Sequence, residues 1–397
     1  MPQRPIYLDA HATTPMDQRV LDAMLPYFTE SFGNPATNSH VYGWEASAAV
    51  KNARATIAES INATPEEIVF TSGATEANNL AIKGVAEAYF EQGRHIITVA
   101  TEHRAVLDPC AYLETLGFEV TYLPVQSDGI LDLQKLDAAI KEDTILVSVM
   151  AANNEIGVLQ PLAEIGKICH AHDVLFHTDA AQAHVKIPLD VSAMNIDLMS
   201  LTAHKVYGPK GIGALYVRRR APRVKLASQI QGGGQERGRR SGTLYTPQIV
   251  GFAKAVSIGV DSMATESERL TQLKQQLWSM LRVLPGICVN GNLTQRLPGN
   301  LNISIEGVNG SALLLGLQST VAVSSGSACS SESTAPSHVL TALGRDEKLA
   351  HASLRFGIGR FNTLEEIETV AKTVISTIES LRQANQMQRK SSFTNES

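Results

Sequence analysis

From residue 16 to about 260 the chain alternates amphipathic stretches with short apolar, β-rich runs. The runs fall at 67–70, 95–100, 118–123, 144–150, 174–178, 196–201 and 212–217. Several are continuously apolar, as strands covered on both faces must be, and helix-periodic stretches such as 73–91 lie between them. Strands alternating with helices predict an α/β fold on a mostly parallel, seven-stranded sheet. Beyond about 262 the texture changes to a long amphipathic helix at 265–284, short strands and helices, and a closing helix from 363 to about 384. The predicted organisation is therefore a large domain at 16–262 and a smaller α/β domain from 1–15 and 263–385. A polar, aperiodic tail at 386–397 is expected to be disordered.

Composition narrows the function classes. The 397 residues, 44% hydrophobic, suffice for a large core, and a net charge of -5 with both signs scattered offers nucleic acid no basic footprint. No apolar run reaches the roughly 18 residues of a membrane span, and Met1-Pro2-Gln3-Arg4-Pro5 leads straight into an apolar segment. The expectation is a soluble, cytoplasmic protein. Cys110, Cys169, Cys288 and Cys329 lack the paired spacing of a zinc site or disulfide framework and read as free thiols. Cys169-His170-Ala171-His172 does not read as a metal site either, because neighbouring helical residues point in different directions.

The chemistry gathers at strand ends, where open α/β sheets place their ligands. The first strand runs into Thr71-Ser72-Gly73-Ala74-Thr75-Glu76, a glycine turn opening a helix whose free amides suit a phosphate, or form a plain cap. The strand at 144–150 leads to Asn153-Asn154-Glu155. The strand at 174–178 ends in Asp179-Ala180-Ala181-Gln182, where a carboxylate either caps a helix or pairs with a protonated ring nitrogen. The strand at 196–201 delivers Thr202-Ala203-His204-Lys205. A lysine leaving a buried strand loses solvation and becomes nucleophilic enough to form an imine, whereas a solvated turn lysine does not. A phosphate-type turn, an aspartate and a lysine on successive strand ends favour the first reading.

These motifs, with Tyr7-Leu8-Asp9, Ala12-Thr13-Thr14-Pro15, Phe32-Gly33-Asn34-Pro35, Thr101-Glu102-His103 and His204 to Gly211, closely resemble cysteine desulfurases of the NifS/IscS type. That group lies within the class V aminotransferase superfamily. The resemblance implies a fold-type I homodimer in which Lys205 carries pyridoxal 5'-phosphate as a Schiff base. It further implies that Asp179 pairs with the pyridine nitrogen, Gln182 bonds the phenolic oxygen, His103 stacks on the ring and Asn154 touches its edge. Ala74, Thr75, Thr202 and His204 would hold the phosphate end, and Thr243 would reach the phosphate of the neighbouring subunit.

The small, polar stretch from Ser324 to Ser333 cannot bury a core and is expected to be a mobile loop, an unusual place for a cysteine. The resemblance makes Cys329 the thiol that attacks the substrate sulfur and becomes a persulfide, with L-cysteine as substrate, L-alanine as product and His103 as acid or base. Arg355, assisted by Asn34, would anchor the substrate carboxylate as a fork. The acceptor would be an iron–sulfur scaffold or another sulfur-acceptor protein. Ala10-His11 and His184 depart from the family pattern beside the site. Rival readings are a selenocysteine lyase, a C–S lyase releasing sulfide directly, and a catalytically reduced sulfur-relay platform. No resident metal is expected, and a transient iron–sulfur cluster on Cys329 is a remoter alternative.

Overall fold

The computed structural model describes residues 4–325 and 335–394, so Cys329 and most of its loop lie outside the described residues. Among the described residues the strands are β1 (Ile6–Tyr7), β2 (Ile68–Thr71), β3 (His95–Val99), β4 (Glu119–Leu123), β5 (Thr144–Ser148) and β6 (Leu175–Asp179). They continue with β7 (Leu198–Thr202), β8 (Gly213–Val217), β9 (Ile287–Val289), β10 (Asn300–Ile305), β11 (Val321–Ala322) and β12 (Ser353–Gly357). The predicted α/β sheet forms from seven of these in the order β2-β8-β7-β6-β5-β3-β4. β8 runs antiparallel to both β2 and β7, and the remaining neighbours pair in parallel.

Alternation within each run creates two cores. Val69, Leu146, Leu175 and Leu198 pack on one side of the sheet, while Phe70, Val147, Phe176 and Met199 pack on the other. Side chains two residues apart share a face, so residues just beyond the apolar run emerge at the sheet's carboxyl edge. β2, flanked by antiparallel β8, runs the same way as β5, β6 and β7. Thr71, Asp179 and Thr202 therefore reach the same edge.

A third core lies around the antiparallel sheet β12-β10-β9. The helix predicted at 265–284 in fact spans Thr246–Leu281, with Pro247 in its first turn. Gly251 and Gly259 weaken the local helix signal, but tight packing overrides propensity: a Cβ on Gly251 would meet Met24 Sδ at 2.5 Å. The boundary placed at 262 falls inside this helix. Its first half, to Ile258, packs in the large-sheet core, and Leu273, Leu277 and Leu281 pack in the third. The closing helix also runs past its expected end near 384, as Leu364–Thr394. Residues 386–394 contain no proline or glycine to stop it, so this part of the tail expected to be disordered is helical. Among the described residues no helix is long and apolar enough to cross a membrane.

One glycine is required where the fold meets the site. Gly157 closes the loop after Asn154 with φ +69°, and a Cβ there would lie 2.3 Å from Asn300 Cγ. Gly157→Ala is expected to lower unfolding free energy by about 2 kcal/mol or more through strain and overlap, read as an earlier denaturant midpoint.

Candidate active site

The carboxyl edge opens into a cavity of about 450 Å³. Its lining brings together Ala74, Thr75, His103, Asn154, Asp179, Gln182, Thr202, His204 and Lys205, nine of the residues singled out from the sequence. Asp179, at the end of β6, is buried, yet both of its oxygens are occupied by donors. Asn78 Nδ2 donates to Oδ2 at 2.7 Å and the Ala181 N–H donates to Oδ1 at 2.9 Å. Asn78 escaped the sequence reading, since a single asparagine in a helix has no distinguishing pattern. Its position about one turn into the helix behind Gly73 brings it within reach of the aspartate.

His103 caps the helix Arg104–Glu114, its Nδ1 accepting the Ala105 N–H at 3.0 Å. Nδ1 therefore carries no hydrogen, and a neutral ring holds its proton on Nε2. Burial lowers the imidazole's pKa below its ordinary value, with Asp179 opposing and Lys205 and His338 adding to the shift. The ring is thus neutral, and Nε2, the nitrogen not held by the cap, is the one left for proton exchange. Beside it Glu102 is wholly buried, and burial raises its carboxyl well above the usual range; Oε1 accepts the Met150 N–H at 2.7 Å. Below Asp179 on the same face of β6, His177 bridges the Ser148 and Ser200 hydroxyls at 2.8 and 3.0 Å. Burial pushes this ring down to about 4, so it ties β5, β6 and β7 together as a neutral group.

The opposite chemistry gathers around the helix N-terminus at Ala74. The Ser72 N–H and Arg240 both bond Glu76, Arg240 through two nitrogens at 2.7 and 3.2 Å. The segment carrying Thr243 is thereby tethered beside the glycine turn. His204 is pushed down to about 4 by burial and by the charges of Lys205, Lys210 and Lys186. A field that discharges an imidazole is one an anion would relieve.

Three expected residues stand apart. Thr243 is exposed and does not line the cavity of its own chain. Asn34 is exposed as well, and its Oδ1 accepts the Ala36 N–H in a local turn. Arg355 lies on β12, buried, where Nη2 donates to Asp9 Oδ1 at 2.8 Å and Nη1 to the Asn154 carbonyl at 3.1 Å. Its fork is therefore partly engaged by a carboxylate of this chain, while Nε has no partner among the described residues.

Residues 6–370 match the aminotransferase class-V family. The chain belongs to that family. A protein named cysteine desulfurase IscS from Ehrlichia chaffeensis is 54% identical over 380 residues, covering 96% of this chain and 92% of that one. A solved structure titled NIFS-like protein superposes with a TM-score of 0.88 at 38% identity, covering 95% of this chain and all of its own. Another, titled SspA in complex with cysteine, gives 0.80 at 40% identity, over 90% of this chain and 100% of its own. Pyridoxal phosphate is the cofactor of this class V group, and the cavity fits it. The residues present offer a held carboxylate for a protonated ring nitrogen, a lysine amine, and an anion cradle at Gly73, where a Cβ would find only open space.

Proposed function

We propose that this chain is a pyridoxal-phosphate-dependent cysteine desulfurase that converts L-cysteine to L-alanine and passes the sulfur from Cys329 to an acceptor protein. The observation carrying this reading is the clamped Asp179 carboxylate facing the same cavity as Lys205 and the helix N-terminus at Ala74. When bound, pyridoxal phosphate supplies an electron sink for negative charge at the substrate's Cα. Asp179 keeps that sink effective by holding a proton on the ring nitrogen. Lys205 anchors the cofactor and moves the Cα proton, and His103, through Nε2, serves as acid or base. Arg355, with Asn34, orients the substrate carboxylate.

The sulfur step needs a thiolate. Cys329 attacks the substrate sulfur, an S–S bond forms as the C–S bond breaks, and the organic fragment takes up a proton to leave as alanine. The balance is one cysteine and one thiol in, one alanine and one persulfide out. Delivery of that persulfide to an iron–sulfur scaffold in the cytoplasm is the use we assign. Purified protein given L-cysteine and a reductant is expected to yield alanine and sulfide in equal amounts. Turnover of selenocysteine with none of cysteine would overturn the assignment.

The reading includes a homodimer with shared sites, Thr243 reaching the partner's cofactor. Supporting it, Phe28, Phe32, Tyr42, Trp44 and Tyr245 are all exposed, and Phe28 packs edge-on against Tyr245, two residues from Thr243, at 6.2 Å. Aromatic side chains left in water mark an interaction face. Light scattering should return twice the chain mass of 42.7 kDa; a single-chain mass at working concentration would exclude shared sites.

A further inference from the structure

His11 follows β1 and is buried, 4% exposed, against Gln182. Two contacts join them. Gln182 Nε2 donates to the His11 main-chain carbonyl at 2.8 Å, and His11 Nδ1 lies 3.1 Å from Gln182 Oε1. A carbonyl only accepts, so the first contact fixes which end of the carboxamide is nitrogen. Oε1 must then be the acceptor in the second, and His11 carries its proton on Nδ1. Lys186 Nζ, 3.4 Å from the same oxygen, adds a donor on that side. The amide nitrogen keeps one hydrogen, and Gln182 also lines the large cavity.

The other ring nitrogen shows what the imidazole is not for. His11 Nε2 is buried with no partner among the described residues. His11 also borders a separate cavity of about 40 Å³ shared with Lys186, Tyr207, Glu266 and Arg360. An unpartnered buried nitrogen costs stability, so the Nδ1 contact is the gain that accounts for the ring. Burial, and then the charges of Lys186, Arg355 and Lys205, hold its pKa well below the ordinary value. The ring is a neutral donor.

We propose that His11 is a positioning residue, gripping both ends of the Gln182 carboxamide so that its free N–H faces the phenolic oxygen of the cofactor. This rests on the reading of the cavity as a pyridoxal-phosphate site with Gln182 at that oxygen. A donor there stabilises negative charge on the oxygen and so holds down the pH at which the cofactor's visible band titrates.

The test is a spectrophotometric pH titration of holoenzyme variants. His11→Leu is expected to raise the midpoint by roughly one pH unit, and His11→Ser to do the same, since its hydroxyl is too short to reach Oε1. His11→Asn, which keeps an N–H near the Nδ1 position, should stay near the parent midpoint. Gln182→Leu should shift at least as far as His11→Leu, and adding His11→Leu to it should shift the band no further. An unchanged midpoint in both His11→Leu and His11→Ser, or full additivity in the double variant, would overturn the proposal. A shift in His11→Leu with none in Gln182→Leu would also overturn it, by showing that His11 does not act through Gln182. Absence of a visible band in the parent protein would instead remove the cofactor reading beneath it.

Discussion

With Lys205 replaced by alanine, the purified protein is expected to lose its covalently held cofactor on desalting and to form alanine from cysteine at least about 10³-fold more slowly. The two proposed roles disappear together, the amine that ties the cofactor and the base that moves the Cα proton, so the expected loss exceeds that of either alone. Lys205→Arg should not recover activity, because a guanidinium stays protonated and cannot form an imine. Lys210 also lines the cavity but is exposed, and Lys210→Ala provides the contrast. It should keep the visible band and most of the turnover. Normal turnover in Lys205→Ala, with the band retained after desalting, would refute the assignment.

That prediction rests on residues legible from the chain, for a definite reason. A buried parallel strand must be a continuous apolar run, and its first polar residues necessarily emerge at the sheet's edge. Asp179, Thr202 and Lys205 were readable because each follows such a run. Asn78 was not, because it acts through Asp179 across 101 residues of sequence and sits in an otherwise ordinary helix. The Arg355 pair with Asp9 spans 346 residues and joins β12 to the loop after β1. No local pattern encodes such a contact, which the folded topology alone creates. The first half of the long helix is hidden from local pattern because it carries Pro247, Gly251 and Gly259, whose poor propensity is overcome by packing against the large-sheet core. Thr243 belongs to a reading that needs a second subunit, and one chain by itself leaves it at the surface; Asn34, expected beside Arg355, is at the surface too.

Cys329→Ala is expected to abolish the gain of one sulfur atom that the protein otherwise shows by mass spectrometry after L-cysteine is added, and to slow alanine formation by at least about 10²-fold. The visible band should be unaffected, since the proposed reading assigns cofactor binding to Lys205 and Asp179. None of the other thiols can substitute. Burial pushes both Cys110 and Cys169 up to about 12, which leaves almost no thiolate at neutral pH. Cys288 is held in β9 with its Sγ 3.7 Å from the Ser304 carbonyl. The described residues on either side of the Cys329 segment are, by contrast, bonded to residues beside the candidate site. Ser324 Oγ donates to Asp9, the same carboxylate that engages Arg355, and Ser337 Oγ donates to Glu155, next to Asn154. Glu155 is raised to about 7 by burial, so near neutral pH a good fraction of it is protonated and still held by that serine. These contacts hold the described ends of the segment that carries Cys329 beside Asp9 and Glu155, which supports the proposed role of that thiol. A C–S lyase or selenocysteine lyase that needs no protein thiol would keep its cysteine turnover in Cys329→Ala. Full activity there, with no sulfur ever found on the parent protein, would transfer the assignment to that class.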